Sequence, residues 1–181
     1  MTAIAAQHEI RRAYVGGGPG IIVSALVWAI AAYCVSQWGI RIGFIALFIG
    51  GMTIFPLAQL ICRIVFARPA PSSGNPVAML GLESTIAMIA LLGATWLLLP
   101  FRPEAVFPLA AIAVGTHYFA FATLYGDRTY WVIAALLTAI GAVALFEPAV
   151  GTVAVVIAVA LVELAAGLYL TAREHSRAAA L

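Results

Sequence analysis

The sequence predicts an all-α integral membrane protein with six transmembrane helices, arranged as three consecutive helical hairpins. Hydrophobic residues make up 65% of the 181 residues and charged residues only 9%, against roughly 45–50% and 25% in soluble domains. A chain of this size cannot bury so much apolar surface in a core of its own, so a bilayer has to surround it. Six apolar stretches of suitable length, separated by short turns, give the number of spans.

The six predicted spans follow one another at short intervals within one membrane domain, residues 20–170. A spanning helix needs about 20 mostly apolar residues. The longest connection, residues 67–76, reads ARPAPSSGNP and is typical of a loop. Since the other connections have the length of hairpin turns, we expect each odd-numbered span to pack against the next. The predicted spans are residues 20–38, 42–62, 77–101, 105–125, 129–146 and 149–170.

An N-terminal segment, residues 1–19, precedes the first span. Apolar Ile4 and Ile10 alternate there with polar residues and with Arg11 and Arg12, a pattern typical of a short interfacial helix whose arginines lie near anionic headgroups. A frayed tail is the alternative. The apolar run that follows is longer than the 7–15 residues of a signal-peptide core, so we interpret it as a retained first span.

The distribution of arginine predicts the orientation. With both termini inside, seven arginines lie on the inner side and two on the outer side, as the positive-inside rule requires. We therefore expect a multi-pass protein of the bacterial cytoplasmic (inner) membrane, with residues 171–181 as a cytoplasmic C-terminal tail. The inner arginines are Arg11, Arg12, Arg63, Arg68, Arg128, Arg173 and Arg177, and the outer ones Arg41 and Arg102. Aromatic belts are predicted from Trp38 and Trp96 outside and from Tyr14, Tyr125, Tyr130, Trp131 and Tyr169 inside.

Two titratable residues lie near the middle of predicted spans, His117 in the fourth and Glu163 in the sixth. Both spans run in the same direction, so the two side chains are expected at similar depth and could form a pair. A pair would offset the cost of burying a charge, about 2.5–3.5 kcal/mol, and would serve either a proton or substrate pathway or a fixed interhelical hydrogen bond. Tyr118, next to His117, and Pro56, which interrupts the second span, complete the predicted pathway.

Three further polar residues are predicted to have a structural role. Glu83 lies about 9 Å into the third span at the helical rise per residue. Arg63 and Arg68 lie near the same membrane surface. We expect Glu83 to form a salt bridge with one of these two arginines.

Sequence motifs for catalysis, metals and cofactors are absent. HExxH, CxxC and GxSxG do not occur, and the three histidines are widely separated. The small, dispersed net charge of +2 argues against nucleic-acid binding. We therefore expect a non-enzymatic protein without catalytic residues, metal or cofactor, whose partners are membrane lipids and, in a possible homo-oligomer, other copies of the chain; the sequence does not indicate a substrate.

Several short motifs together resemble a family of small bacterial multi-pass membrane proteins known only as a domain of unknown function. They are FPL at 55–57, Arg63, GNP at 74–76, LG at 80–81 and GTHYFAFATLYG at 115–126. The resemblance covers residues 10–145. It implies a membrane fold and directs attention to Pro56, Asn75 and His117, but it implies no activity. Where the family pattern often has an FLPF-like run, this chain lacks the proline, so the resemblance does not imply a kink in the fourth span.

Three classes of function remain open from the sequence. The first is transport or binding of a small solute or ion, for which an oligomer could complete a solvated path. The second is a structural or accessory membrane subunit, and the third a membrane enzyme. A water-accessible cavity that reaches His117 would distinguish the first class from the second.

Overall fold

The computed structural model describes residues 2–147 and 149–179, and these residues form seven α-helices and no strand. Helices α2 to α7 are each long and apolar enough to cross a membrane. The predicted all-α fold with six spans is therefore confirmed. The helices are α1 Ala3–Ala13, α2 Gly18–Trp38, α3 Ile40–Ile64, α4 Ala78–Trp96, α5 Val106–Tyr125, α6 Thr129–Phe146 and α7 Thr152–Ala179.

Two helix boundaries differ from the prediction by five residues or more. Helix α4 ends at Trp96, five residues before the predicted limit. Pro100 explains this end, because proline cannot donate a backbone hydrogen bond and disfavours helical backbone in the residue before it. Helix α7 continues to Ala179, so most of the predicted tail is helical; residues 180 and 181 lie outside the described residues.

Helix α1 forms within the predicted N-terminal segment and is followed by a sharp turn. Thr2 begins the helix, and its hydroxyl accepts a hydrogen bond from the backbone N–H of Ala5 at 3.3 Å. The turn that leads into α2 needs glycine, because Gly16 and Gly17 have φ values of +63° and +82°. A side chain at Gly17 would also lie 2.1 Å from the hydroxyl of Tyr130. The glycine run therefore lets α1 fold back onto the bundle.

The helices contact one another in the order α3, α2, α7, α6, α5, α4. The hairpin partners α2–α3, α4–α5 and α6–α7 do pack together, but the most extensive contacts also include α5–α6 and α2–α7, which belong to different hairpins. Backbone contact between α3 and α4 is slight. These two helices meet through the ring of Trp96, 5.7 Å from Phe44 and 5.8 Å from Phe48. The bundle is thus closed on the α5–α7 side and loosely joined between α3 and α4.

Glycines bring the closely packed helices together. A Cβ atom on Gly167 of α7 would lie 3.0 Å from the carbonyl oxygen of Gly18 in α2. One on Gly141 of α6 would lie 2.4 Å from the carbonyl oxygen of Pro108 in α5. Small residues at such crossings let helix backbones approach closely, and this van der Waals packing is a main source of helix association in membranes.

Helix α1 and the end of α7 lie at one end of the bundle, here named the terminal end: the end of α7 packs there against the turn between α1 and α2. The predicted inner aromatic belt is wrong for two residues at this end. Tyr125 and Tyr130 are buried and stack with ring centroids 5.2 Å apart. The short α5–α6 connection brings these helix ends together and turns both rings inward. In contrast, Trp131 and Tyr169 are more than half exposed.

Candidate functional site

A polar cluster lies in the middle of the bundle, where α2, α5 and α7 meet. The carboxyl group of Glu163 is completely buried, and its Oε1 accepts a hydrogen bond from the hydroxyl of Tyr118 at 2.9 Å. The hydroxyl of Ser24 on α2 also faces this carboxyl group and is nearly as buried. We name Ser24, Tyr118 and Glu163 the central cluster. It links three spans at one depth.

The helical repeat places these polar residues in the core. Residues three, four and seven positions apart lie on one face of a helix, and Glu163 and Tyr118 each continue a buried apolar stripe. On α7 the stripe contains Val155, Val156, Val159 and Ala160, and on α5 it contains Ala111, Val114, Ala122 and Tyr125. The carboxyl group is therefore enclosed by apolar side chains. Its second oxygen, Oε2, has no hydrogen-bond partner among the described residues.

His117 does not pair with Glu163, contrary to the prediction. One residue corresponds to about 100° around a helix, so His117 faces α4 while Tyr118 faces the core. The imidazole lies beside the backbone of Ser84 and 4.4 Å from the ring of Phe121, measured between centroids. Its Nδ1 atom is buried without a hydrogen-bond partner in the described part of the chain. The expected equal depth was right, but Tyr118 is the residue that bonds Glu163.

Pro56 is not one of the residues of the central cluster. It is exposed on α3, and the helix continues past it as one element to Ile64. The structure thus does not bring Pro56 together with the other predicted pathway residues.

The predicted salt bridge of Glu83 is also not formed. Glu83 and Arg63 are exposed, and no cation of residues 2–147 or 149–179 lies within 4.0 Å of the Glu83 carboxylate. Helix α4 packs on α5 through the face that contains Gly81, and this turns Glu83 outward. Arg68 is half-buried instead, and its backbone N–H donates to the carbonyl of Cys62 at 3.0 Å.

A second polar network, at the terminal end, was not predicted. Asn75 is buried, and its Nδ2 donates to the carbonyl of Ala6 at 3.1 Å and to the carboxylate of Glu9 at 2.6 Å. Glu9 also accepts hydrogen bonds from the backbone N–H and hydroxyl of Ser72. The N–H of Ser72, and then Asn75, lower the pKa of Glu9 below its ordinary value. The GNP motif was the available signal, because a lone asparagine between glycine and proline in a loop often bonds the backbone.

Helix α1 is also fastened to the end of α5. Arg11 donates from Nε to the carbonyl of Tyr125 at 3.0 Å and from Nη2 to the carbonyl of Gly126 at 2.9 Å. The last carbonyl groups of a helix have no hydrogen-bond partner within the helix. The guanidinium of Arg11 therefore provides the donors that the carbonyl groups at the end of α5 lack. On the other side of the same turn, Arg173 forms an ion pair with Asp127.

Two surface grooves of the described residues are lined by neither His117 nor Glu163. One, of about 340 Å³, lies between α1 and the α3–α4 loop and is lined by His8, Glu9, Arg12, Ala13, Pro69 and Ala70. The other, of about 490 Å³, is apolar and lies between α2 and α7, from Ala25 to Ser36 on one side and Val153 to Leu164 on the other. Among the described residues, no three histidine, cysteine or acidic side chains are grouped as metal ligands.

Comparison with known families gives one match. Residues 4–173 match the model of DUF7010, described as a family of unknown function. The chain belongs to the DUF7010 family. The resemblance to an uncharacterised family is thus confirmed. Both the central cluster and the second polar network, formed by Glu9, Ser72 and Asn75, lie within the matched part of this DUF7010 protein. No curated protein and no solved structure matches the chain.

Proposed function

We propose that this DUF7010 protein moves or binds a small solute or ion, and that protonation of Glu163 drives the conformational step. One observation supports this proposal: a carboxyl group that is completely buried in the middle of six spans, with one oxygen that has no hydrogen-bond partner among the described residues. Ionisable groups at this depth are costly and generally functional. Buried charged groups are also weak contributors to stability, since apolar replacements often stabilise, so a function accounts for Glu163 better than packing does.

The proposed step is a change in helix packing. A protonated Glu163 carries no charge and fits the closed, apolar bundle. Loss of the proton would leave a carboxylate among apolar side chains, which favours an arrangement of α2, α5 and α7 that admits water or a cation. Proton uptake and release would then bias two conformations, as ligands bias any two-state equilibrium. His117 is next to Tyr118, and its Nδ1 has no hydrogen-bond partner in the part of the chain that the structure describes; it would be the group that exchanges protons on the α4 side.

The proposed setting is the inner membrane of a bacterium, with both termini in the cytoplasm. Seven of the nine arginines lie toward the terminal end of the bundle, and the positive-inside rule would place this end in the cytoplasm. Helix α1, with Arg12 exposed, would then rest on the anionic cytoplasmic leaflet.

Reconstituted vesicles test the proposal without knowledge of a substrate. Vesicles that contain the wild-type protein and a trapped pH indicator are given a pH gradient, with valinomycin present to remove the membrane potential. We expect the wild type to dissipate the gradient faster than empty vesicles, and Glu163→Gln to abolish the difference. His117→Phe should slow the flux. Glu147→Gln, at an exposed residue outside the spans, is the matched control and should behave as the wild type.

Infrared spectroscopy gives an independent measurement. A protonated carboxyl group has a separate C=O stretching band, and its titration in the wild type should disappear in Glu163→Gln. Flux that is equal in wild type and Glu163→Gln, or a band that never titrates, would contradict the proposal.

A structural or accessory role is the second candidate, and a specific observation favours it. Neither groove reaches the central cluster. This is the expected result if the hydrogen bond between Tyr118 and Glu163 serves only to hold α5 against α7. In this case the same substitutions would lower thermal stability in detergent and leave every flux unchanged.

A further inference from the structure

Glu83 is a charged residue on the outside of a membrane-spanning helix. It lies five residues into α4, about 7.5 Å from the start of the helix at the rise per residue. The residue is exposed, and its carboxylate has no hydrogen bond or ion pair within the described residues. A carboxylate that faces hydrocarbon is costly. A partner from outside the chain would remove this cost.

Arg63 on α3 carries the complementary charge. It is the penultimate residue of α3, is exposed, and has no side-chain hydrogen bond or ion pair in the same described ranges. α3 and α4 barely touch, and within one chain Arg63 and Glu83 do not meet. Arg63 lies one residue from the end of α3 and Glu83 five residues from the start of α4, so their distances along the helices from the α3–α4 loop differ by about 6 Å, a length that the long stem of an arginine can span.

We propose that two copies of the chain associate through the outward faces of α3 and α4, and that Glu83 of each copy pairs with Arg63 of the partner subunit. A two-fold axis along the membrane normal sets α4 of one copy against α3 of the other, so that one symmetric contact forms both pairs. Two carboxylates that would face lipid are then neutralised. Ala87 and Ala90 lie exposed on the same side of α4 and allow the helices to approach closely. This inference does not depend on the proposed role of Glu163.

Energy transfer between donor-labelled and acceptor-labelled copies in liposomes tests the proposal. The labels are attached through a C-terminal tag, and the dimer is diluted by the addition of lipid. We expect Glu83→Gln and Arg63→Gln each to weaken dimerisation about tenfold or more, which corresponds to about 1.4 kcal/mol. The reciprocal double variant Glu83→Arg with Arg63→Glu should restore it, because the opposite charges again meet.

Arg41→Gln provides the matched control, since Arg41 is an exposed arginine at the other end of α3 and should leave the dimer unchanged. Circular dichroism and thermal unfolding establish that each variant is folded. A wild type that stays monomeric at every lipid dilution would overturn the proposal. Single variants that dimerise as tightly as the wild type, or a double variant that fails to restore dimerisation, would overturn it as well.

Discussion

The hydroxyl of Tyr118 on α5 donates a 2.9 Å hydrogen bond to Oε1 of Glu163 on α7, and both groups are buried in the middle of the bundle. The two helices share few other backbone contacts compared with those of α5–α6 and α2–α7. This bond therefore connects the two closely packed helix pairs. Its energetic weight can be measured separately from any flux.

Removal of the Tyr118 hydroxyl should destabilise the protein by a modest amount. Interhelical hydrogen bonds in membranes contribute about 0.6 kcal/mol on average and up to about 1.7 kcal/mol, and we expect Tyr118→Phe to fall in this range. Reversible unfolding in bicelles, in a double-mutant cycle with Glu163→Gln, gives the coupling energy. Tyr33→Phe, at an exposed tyrosine of α2, is the control. Effects of the two core substitutions that simply add would show that no interaction couples them.

A methyl group at the α2–α7 crossing should be far more damaging than one on the lipid-facing side of the bundle. In Gly167→Ala the new Cβ would lie 2.9 Å from the backbone nitrogen of Ile22 and 3.0 Å from the carbonyl oxygen of Gly18. The helices would have to separate, and overpacking of this kind costs about 1–3 kcal/mol. The comparison is Gly93→Ala, where the added Cβ has no atom within 4 Å. Thermal unfolding in detergent should rank Gly167→Ala well below Gly93→Ala; equal midpoints would show that the close approach at Gly18 does not exist.

Arg11 should matter for stability, whereas its neighbour Arg12 should not. Arg11→Gln removes the guanidinium that bonds the carbonyls of Tyr125 and Gly126, and hydrogen bonds from charged groups contribute about 1.5–3 kcal/mol. Hydrogen exchange of residues 123–130 should accelerate in this variant. Arg12→Gln changes an exposed arginine next along the chain and should leave exchange unchanged. If hydrogen exchange accelerated equally in both variants, the cause would be the loss of a positive charge near the membrane and not the loss of the hydrogen bonds from Arg11 to the end of α5.

The contact between α1 and the α3–α4 loop should weaken in acid. The pKa of Glu9 is lowered because Ser72 and then Asn75 bond its carboxylate, so the contact is complete above the ordinary pKa of about 4.5. It is lost as the pH falls through the lowered value, because the protonated group is a poorer acceptor. A spin label in residues 69–74, read by electron paramagnetic resonance, should gain mobility below pH 4.5. In Glu9→Gln the label should be mobile at neutral pH already; mobility that is independent of pH in the wild type would refute this.

Much of the architecture was predictable because it depends on the apolar surroundings of each segment. Six apolar stretches had to form helices, since only a helix satisfies its own backbone polar groups in hydrocarbon. The order of the spans and the grouping of seven arginines at one end followed directly. The helix ends were less predictable, as at Trp96, because local proline chemistry competes with hydropathy there.

The candidate site was predicted in part. Glu163 is predicted from its depth and Tyr118 as the neighbour of His117, whose depth also follows from sequence position along a helix. The partner of Glu163 was assigned to His117 instead of Tyr118, because azimuth decides which side chain faces a neighbour, and adjacent residues differ by about 100°. Glu83 was misassigned for the same reason.

The spans, the end at which the arginines collect and the depth of each polar residue can therefore be predicted from the amino-acid sequence, because they depend on hydropathy and on the helical rise. The folded bundle shows, in addition, that α2 packs on α7 and α5 on α6 across hairpin boundaries, where glycines permit the closest approach. It also shows that Tyr125 and Tyr130 are buried, and that Tyr118 bonds Glu163. Helix rotation and helix pairing are set by contacts between distant parts of the chain, which no local pattern contains.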